Sequence, residues 1–341
     1  MGIKNINELI QKICPDFFQV ANLSYFSGAK IAIDTNMLMY KYVAVSRKEY
    51  LEKINLAVTK FDRQNVTKIW ANKLLEFISR ILAYGIMPIF VFDGVPLQEK
   101  QKVRDDRRLK KEKELKEIRD LEEKLDGADI LEKSYFAQEL SKKLRNRNDI
   151  KSEDYDLIKS IISIIGLPCV DAKNDGEKLC VMMVLDGKAN AVYTADTDAY
   201  AYGCPLIIKD IEGQNVKYCV LSDFTNEASI TKDQLTDLCI MCGCDYNTNI
   251  RGCGIIGSYN LIKEFGNIDN ITSKNTDILN HKKCREIFKQ CHYATCILKI
   301  HSTHLFDIDF DSIKTCRDFM EIYGLEKHIS TIDYIYSKIK K

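Results

Sequence analysis

The chain has 341 residues, of which 45% are hydrophobic and 29% charged, with only five prolines. This composition can supply the core of one large α/β domain or two lobes and excludes a collagenous or low-complexity protein. The longest apolar runs, residues 85–92 and 161–170, are shorter than the ~20 residues that span a bilayer, and no signal segment opens the chain. Thirteen scattered cysteines indicate reduced thiols. We therefore expect an intracellular protein without a membrane span, in the nucleus, the cytoplasm or, for a viral protein, a viral factory.

The order of helical and β-type patterns predicts an α/β fold. In the first 96 residues short apolar β-type runs alternate with helical patterns, as in a parallel sheet. Residues 97–149 place leucines at helical spacing in a charged background, which predicts exposed helices inserted between sheet elements. The sheet pattern then returns, with helices and strands alternating at 154–166, 168–170, 175–187 and 191–194. Beyond Thr231 the pattern is all helical. The expected architecture is a mainly parallel twisted sheet flanked by helices.

Acidic side chains follow three of the predicted strands directly. Asp34 follows residues 30–33, Asp93 follows residues 88–92, and an Asp-x-Asp pair follows residues 191–195. Because the carboxyl ends of parallel strands meet at one edge of a sheet, we expect these acids to converge. A single aspartate after a strand is more often a turn or helix-cap residue, but several in this pattern favour a functional site. The full candidate set is Asp34, Asp93, Asp175, Glu177, Asp196, Asp198 and Asp245.

Crowded carboxylates predict a divalent metal. They raise one another's pKa by repulsion unless cations neutralise them, and oxygen-only ligands favour Mg²⁺ or Mn²⁺ over zinc. All five histidines lie downstream of the seven acids, so a histidine base is not expected. An alternative is a phosphatase with an aspartyl nucleophile at Asp196, although Tyr200 stands where that motif requires threonine.

In order and spacing, these motifs resemble those of the flap endonuclease family of structure-specific 5′ nucleases, which includes the XPG-type repair nucleases. The resemblance is carried by residues 1–4, 33–37, 91–94, 194–198, 242–246 and 250–254, and it extends to about residue 330. It implies a PIN-like nuclease core and a metal-dependent hydrolase that cuts branched or 5′-ended DNA, as flap endonuclease or 5′-3′ exonuclease, in replication, repair or recombination.

The same resemblance implies a domain plan and a metal arrangement. The plan is an N-terminal nuclease region at 1–150 with a helical gateway and cap at about 97–149, and an internal nuclease region at 151–341 with a helix-two-turn-helix part at about 232–330. Two Mg²⁺ ions, with Mn²⁺ able to substitute, would be held by Asp34, Asp93, Asp175 and Glu177 in one region and by Asp196, Asp198 and Asp245 in the other. The family usually has Glu-x-Glu where this chain has Asp175-x-Glu177.

A basic segment predicts phosphate binding. Between Lys100 and Lys113 there are eight basic residues and three acids, and cations beside an acidic metal site can hold a phosphate that carboxylates would repel. The resemblance matches Lys100 and Arg107 to two catalytic cations and Tyr40 to an aromatic on which a base stacks. Other expected DNA contacts are Gly2, Arg47, Arg104, Arg108, Arg251, Gly252, Gly254 and Lys263. The alternative for the basic segment is a solvated helical face or a nuclear-import patch.

The glycine turn at 252–254 precedes a predicted helix. It resembles the family's helix-two-turn-helix element, which grips the duplex backbone and often binds K⁺. Ser258 after Gly257 replaces the lysine of a P-loop, so an ATPase is not expected. The spacing of Cys239 and Cys242 suits zinc, but no second pair follows and buried thiols are favoured.

The chain's C-terminus shows no sliding-clamp motif in residues 336–341. We expect a clamp-independent monomer without a membrane partner. A catalytically weak DNA-junction binder with the same fold is the remaining alternative, and intact acids argue against it.

Overall fold

A computed structural model describes residues 2–147 and 150–302. The end of the expected helix-two-turn-helix part and the C-terminus without a clamp motif lie outside the described residues. Within the described ranges no helix has both the length and the apolar character required to cross a bilayer. The 12 cysteines in this part of the chain are all free thiols.

Eight strands among the described residues form one sheet, in the order β1-β7-β6-β5-β2-β3-β4-β8. They are β1 (Gln19–Asn22), β2 (Lys30–Asp34), β3 (Met87–Phe92), β4 (Cys169–Ala172), β5 (Ala191–Tyr193), β6 (Leu206–Glu212), β7 (Asn215–Val220) and β8 (Ile297–Ser302). The run β6-β5-β2-β3-β4 is parallel, whereas β7 pairs antiparallel with both β1 and β6. The expected mainly parallel sheet is confirmed.

The described residues also form α-helices. They are α1 (Ile6–Ile13), α2 (Thr35–Lys53), α3 (Arg63–Ala83), α4 (Gln101–Gly127), α5 (Ile130–Asn146), α6 (Ser152–Ile165), α7 (Gly176–Leu185), α8 (Asp198–Ala201), α9 (Leu221–Glu227), α10 (Lys232–Cys242), α11 (Ile255–Phe265), α12 (His281–Phe288) and α13 (Tyr293–Cys296). Short 3₁₀ helices lie at Leu23–Phe26, Gln98–Lys100, Ile268–Asn270 and Asp277–Leu279. Local signals set several ends: Thr231 and Gln234 form a capping box at α10, and Gly166 ends α6 in the left-handed conformation.

The described chain forms two compact units that interleave in sequence. The first unit contains residues 2–37, 84–100 and 169–301, and the second contains residues 38–83, 101–147 and 150–168. The division near residue 150 that the family resemblance implies stays a prediction. In the second unit α4 and α5, which occupy the predicted cap segment, pack through a small apolar cluster that includes Ile118, Leu125, Leu140 and Leu144.

The core of the first unit lies between the sheet and α7, which contacts β2, β3, β4 and β5. Ala32, Val91 and Val192 are buried in this core, and their strand neighbours Ile33 and Phe90, which point the other way, are buried too. Burial of both faces is typical of a parallel sheet and explains why the strands read as nearly continuous apolar runs.

The expectation of an all-helical pattern beyond Thr231 is wrong at β8. This strand joins the sheet edge beside β4, where the backbone N–H of Lys173 donates to the Cys296 carbonyl at 2.8 Å and His301 Nε2 lies 2.6 Å from Asp171 Oδ2. β8 depends on β4, which lies more than 120 positions earlier in the chain, as the side-chain contact between His301 and Asp171 shows. Local periodicity cannot reveal such a partner.

Candidate active site

The parallel register brings the ends of three strands to one edge of the sheet. Ile33 pairs with both Phe90 on β3 and Tyr193 on β5, so Asp34, Asp93 and the loop after β5 leave the sheet side by side. Asp175 and Glu177 reach the same edge from the start of α7. The seven candidate acids all belong to the first unit, and their charges act on one another. The structure therefore gathers the carboxylates that the sequence scatters over more than 200 residues.

Asp34 and Glu177 share a hydroxyl that sequence reasoning missed. Thr194 Oγ1 is fully buried, 3.2 Å from Asp34 Oδ2 and 3.4 Å from Glu177 Oε1, and it accepts a hydrogen bond from the Asp196 backbone N–H at 3.1 Å. A hydroxyl carries one proton and can donate to only one carboxylate at a time. Thr194 can therefore hydrogen-bond to both acids at once only when one of the two is protonated. The sequence signals for Thr194 were its position just after β5 and its place in the motif at residues 194–198.

Asp93 is held by the start of α7 and by an amide. Its Oδ1 accepts a hydrogen bond from the Gly176 backbone N–H at 2.7 Å, and its Oδ2 accepts one from Asn36 Nδ2. A Cβ atom at Gly176 would lie 2.9 Å from Asp93 Oδ1, so the glycine permits this close approach. Asn36 was another missed residue, although it lies with Asp34 inside the motif at residues 33–37.

Asp196 and Asp198 lie against the N-terminal segment. A Cβ atom added to Gly2 would collide with Asp196 Oδ1, Thr197 Oγ1 and Asp198 Oδ1, so both carboxylates flank the backbone of residue 2. Below them, Lys209 Nζ donates to the carbonyls of Ala195 at 3.0 Å and Asp196 at 2.9 Å. This lysine on β6 fixes the loop that carries both acids. It was missed because nothing in the local sequence relates residue 209 to that loop.

Lys100 enters the site as the last residue of a 3₁₀ turn. Its Nζ lies 2.7 Å from Asp175 Oδ2 and 5.1 Å from the ring centroid of Tyr246, which follows Asp245 in the chain. Burial acts to lower the pKa of Lys100, but the charge of Asp175 and the other neighbouring groups outweigh it and raise that pKa. Lys100 therefore stays an ammonium beside the carboxylates, where it can meet an anionic group.

Burial and mutual repulsion raise the pKa of several of these acids. The pKa of Asp34 rises to about 8, first because of burial and then because of the negative charge of Asp93. Burial, followed by the charge of Asp196, raises the pKa of Glu177 and that of Asp198. Asp93 is open to solvent on one side, but the surrounding protein removes part of its hydration. This desolvation, followed by the charge of Asp175, raises the pKa of Asp93 too. The cluster is costly to ionise without a bound cation.

This cost predicts that the metal-free protein loses stability as pH rises. Asp34 titrates near 3.8 when unfolded and near 8 when folded, so between these values the native state holds a proton that the unfolded state lacks. The stabilisation that this proton provides is complete below pH 4 and is lost towards pH 8. Over this range the free energy of unfolding falls by up to about 1.4 kcal/mol per pH unit for this group. In EDTA we expect the melting temperature to fall between pH 5 and pH 8, and Mg²⁺ to reverse much of the fall. Asp34→Asn, which cannot titrate, is the control and should reduce the dependence of the melting temperature on pH. The same dependence in this variant and the wild type would contradict the raised pKa of Asp34.

The donor set fits a hard divalent cation. Every charged donor is a carboxylate oxygen, and Asp198 Oδ1 is buried without a hydrogen-bond partner. In the part of the chain that the structure describes, no three His, Cys, Asp or Glu side chains are already arranged to hold one ion. Mutual repulsion is expected to hold these like-charged acids apart in the absence of a cation.

Close packing behind Asp93 makes Gly94 a sensitive position. A Cβ atom there would collide with the carbonyl oxygen of Ala172 and lie 2.6 Å from the carbonyl carbon of Lys173. Since both obstacles are backbone, we expect Gly94→Ala to lower the free energy of unfolding by about 1–3 kcal/mol. Urea denaturation measures this. Gly127→Ala, at a position with no atom within 4 Å of the added Cβ, is the matched control and should change stability little.

The other predicted DNA-contacting residues are dispersed. Arg104, Arg107 and Arg108 are exposed on α4 in the second unit, and Tyr40 is half-buried on α2. Their roles remain predictions.

The structure argues against the DNA contact expected of Arg47. This side chain is fully buried, and its Nη1 donates to the Arg147 carbonyl. Burial, followed by the charges of Arg63 and Arg147, lowers its pKa to about 10. The sequence showed its charge but not its burial, so Arg47 is a structural residue of the second unit.

The glycine turn lies at the start of α11, as expected. Arg251, Gly252 and Gly254 are exposed, and Gly252 adopts a φ of +74° that favours glycine. Lys263 Nζ instead donates to the carbonyls of Ala228 at 3.0 Å and Ser229 at 3.1 Å, just after α9. The ammonium of Lys263 is therefore engaged within the protein, which weakens its expected role in gripping DNA.

The cysteines near Asp245 behave as buried thiols. Cys239, Cys242, Cys244 and Cys253 are all buried. Burial raises the pKa of Cys242 to about 12 and also raises that of Cys239. These thiols therefore lie in the core, as the packing interpretation expects.

Known proteins are similar to this chain in sequence and in fold. Two family models match the chain, the XPG N-terminal domain over residues 1–114 and the XPG I-region over residues 166–245. Flap endonuclease 1 of Entamoeba histolytica is 30% identical over 300 residues, covering 84% of this chain and 75% of that protein. Flap endonuclease 1 of Cryptosporidium parvum is 31% identical over 313 residues, covering 85% of this chain but only 61% of that protein. The solved catalytic core of Rad2 in complex with DNA substrate has the same fold, with a TM-score of 0.65 at 16% identity over 99% of this chain and 100% of that one.

Proposed function

The chain belongs to the flap endonuclease family of XPG-type nucleases, and on this basis we propose that it is a metal-dependent, structure-specific 5′ nuclease that hydrolyses DNA phosphodiesters. The observation that supports this most is the gathering of seven carboxylates and one lysine at the carboxyl edge of a parallel sheet. The substrate class, branched or 5′-ended DNA, follows from the family and from the DNA bound to the Rad2 core.

Carboxylates of this cluster would hold two Mg²⁺ ions, with Mn²⁺ able to substitute. Bound divalent metal supplies a water nucleophile of lowered pKa and neutralises charge on the phosphate. The protein's own contribution is to hold the acids in place: Thr194 orients Asp34 and Glu177, the Gly176 N–H orients Asp93, and Lys209 fixes the loop of Asp196 and Asp198. Rigid ligands in a partly buried cluster reduce the reorganisation needed during the reaction.

Lys100 would contact the scissile phosphate. Its ammonium lies among the acids, and a cation at this place offsets the repulsion between a carboxylate cluster and a phosphodiester. Arg107, exposed on α4, is the second cation that the family resemblance assigns. The products would be a 5′ phosphate and a 3′ hydroxyl.

The start of α11 would grip the duplex part of the substrate. The Gly252–Gly254 turn precedes a helix of 11 residues whose first N–H groups have no side-chain cap. Such an N-terminus favours phosphate oxygens, and K⁺ bound by the carbonyls of this turn is part of the proposal. Arg251 adds a nearby exposed positive charge.

A single assay tests the proposal. The purified chain is incubated with Mg²⁺ and a 5′-labelled flap DNA, with a labelled single-stranded oligonucleotide and p-nitrophenyl phosphate in parallel. We expect cleavage near the flap junction and no release of p-nitrophenol. DNA binding without cleavage in Mg²⁺ and in Mn²⁺ would instead identify a junction-binding scaffold, and ester hydrolysis without DNA cleavage would identify a phosphatase.

A further inference from the structure

Both carboxylate oxygens of Asp175 are engaged inside the first unit. Oδ1 accepts a hydrogen bond from the Lys178 backbone N–H at 3.0 Å, and Oδ2 lies 2.7 Å from Lys100 Nζ. The side chains of Asp175 and Lys100 are 12% and 23% exposed, so this ion pair is largely withdrawn from water. Asp175 could bind a metal directly only by leaving one of these partners or by sharing an oxygen with Lys100.

Other acids of the cluster have oxygens with weaker contacts or none. Glu177 Oε1 has only a 3.4 Å contact with the shared Thr194 hydroxyl, and Asp198 Oδ1 has no hydrogen-bond partner. These oxygens are available to a cation without loss of a strong contact. Asp175 would therefore lose or share a strong contact on binding a metal, whereas these oxygens of Glu177 and Asp198 would not.

The contact with Lys178 is an N-cap. Asp175 precedes α7 with φ −93° and ψ 118°, and its side chain closes the first turn of the helix. Aspartate ranks among the best N-cap residues because its short side chain reaches the backbone N–H groups of the first turn. The longer side chain of glutamate is poorly suited to this contact. The aspartate at position 175 therefore suits the start of α7.

The contact with Lys100 restrains a flexible cation. A lysine ammonium sits on a four-carbon stem with several rotatable bonds and needs partners to hold one position. Asp175 on one side and the ring of Tyr246 at 5.1 Å supply them.

From these contacts we propose that Asp175 is a positioning residue that fixes the Lys100 ammonium and caps α7, and that it acts through Lys100 and not as a direct metal ligand. The kinetic part of this inference rests on the proposed nuclease function. The metal-binding and stability parts do not.

The first test measures Mn²⁺ binding by calorimetry without DNA. Asp175→Asn keeps an N-cap residue but removes the charge, and we expect its Mn²⁺ dissociation constant to stay within about threefold of the wild-type value. Glu177→Gln is the matched ligand variant and should weaken binding by about tenfold or more. A loss for Asp175→Asn as large as that for Glu177→Gln would overturn the proposal.

The second test measures melting temperature in EDTA. Asp175→Glu should lower it by about 2–4 °C through loss of the cap, whereas Asp175→Asn should not lower it. Thr231→Val, which removes the N-cap contact of α10, sets the scale for such a loss. An Asp175→Glu variant as stable as the wild type would remove the capping role.

The third test is a double-mutant cycle in single-turnover cleavage of flap DNA with Mg²⁺. If Asp175 acts through Lys100, the variant carrying both Asp175→Asn and Lys100→Ala is no more than about twofold slower than Lys100→Ala alone. Effects that multiply would show an independent role for Asp175 and refute the coupling. If the wild-type chain cuts no DNA at all, the proposed function fails, while the first two tests still decide the role of Asp175.

Discussion

Replacing Asp196 with alanine is expected to reduce single-turnover DNA cleavage by about 1,000-fold or more, equivalent to about 4 kcal/mol of transition-state stabilisation. The reason is its position: it lies beside Asp198 against Gly2, and its charge acts on Asp34, Glu177 and Asp198. Loss of one carboxylate from a shared cluster removes an oxygen ligand that no nearby side chain replaces. Mg²⁺-independent DNA binding should not weaken, because the acids repel DNA and do not hold it.

The same substitution should make the metal-free protein no less stable, and at pH 8 more stable. Asp196 raises the pKa of its neighbours by repulsion, so its removal relieves a cost of ionising them. Gel-based cleavage, DNA binding in EDTA and melting in EDTA measure the three effects. Asp16→Ala, at an exposed acid outside the cluster, is the matched control and should leave all three unchanged. Cleavage at the wild-type rate by Asp196→Ala would exclude this residue from the site.

Lys100→Ala should slow the chemical step by about 100-fold while weakening duplex affinity by less than about threefold. The ammonium lies among the acids, held by Asp175 and the Tyr246 ring, where charge develops on a bound phosphate. Most of the duplex surface is expected elsewhere, at the start of α11, so binding should depend little on Lys100. Single-turnover rates at saturating enzyme separate chemistry from binding.

Lys173→Ala is the control for Lys100→Ala because it removes an exposed lysine from the same unit, just after β4. We expect near wild-type rates from it. Equal losses in rate and affinity for Lys100→Ala would show that Lys100 binds DNA generally and does not act on the reacting phosphate. Activity that recovers at high DNA concentration would lead to the same conclusion.

The fold class was predictable because its signals are local. Buried parallel strands read as apolar runs, α10 begins with a capping box, and α6 ends at a glycine. The edge strand β8 was not predictable in this way, since its stability comes from pairing with β4. Arg47 shows the same limit for a side chain: a basic residue in a helix looks exposed until the packing around it is known.

The candidate site was predictable in its acids but not in what holds them. Asp34, Asp93 and Asp196 follow strands, and the shared edge of a parallel sheet implies their convergence. Thr194 carried little local signal and Lys209 none, because a hydroxyl or an ammonium becomes a positioning group only through partners from other elements.

By itself, the amino-acid sequence determined the helices and most strands, the acids at the strand ends and the oxygen-only chemistry of the cluster, because these follow from side-chain type and short-range spacing. Only the tertiary structure decided which oxygens remain available to a cation, that Lys100 is held by Asp175, and that Lys263 is engaged after α9. Burial, pKa and hydrogen-bond partners depend on residues that are distant in the chain, and their contacts exist only once the sheet has assembled.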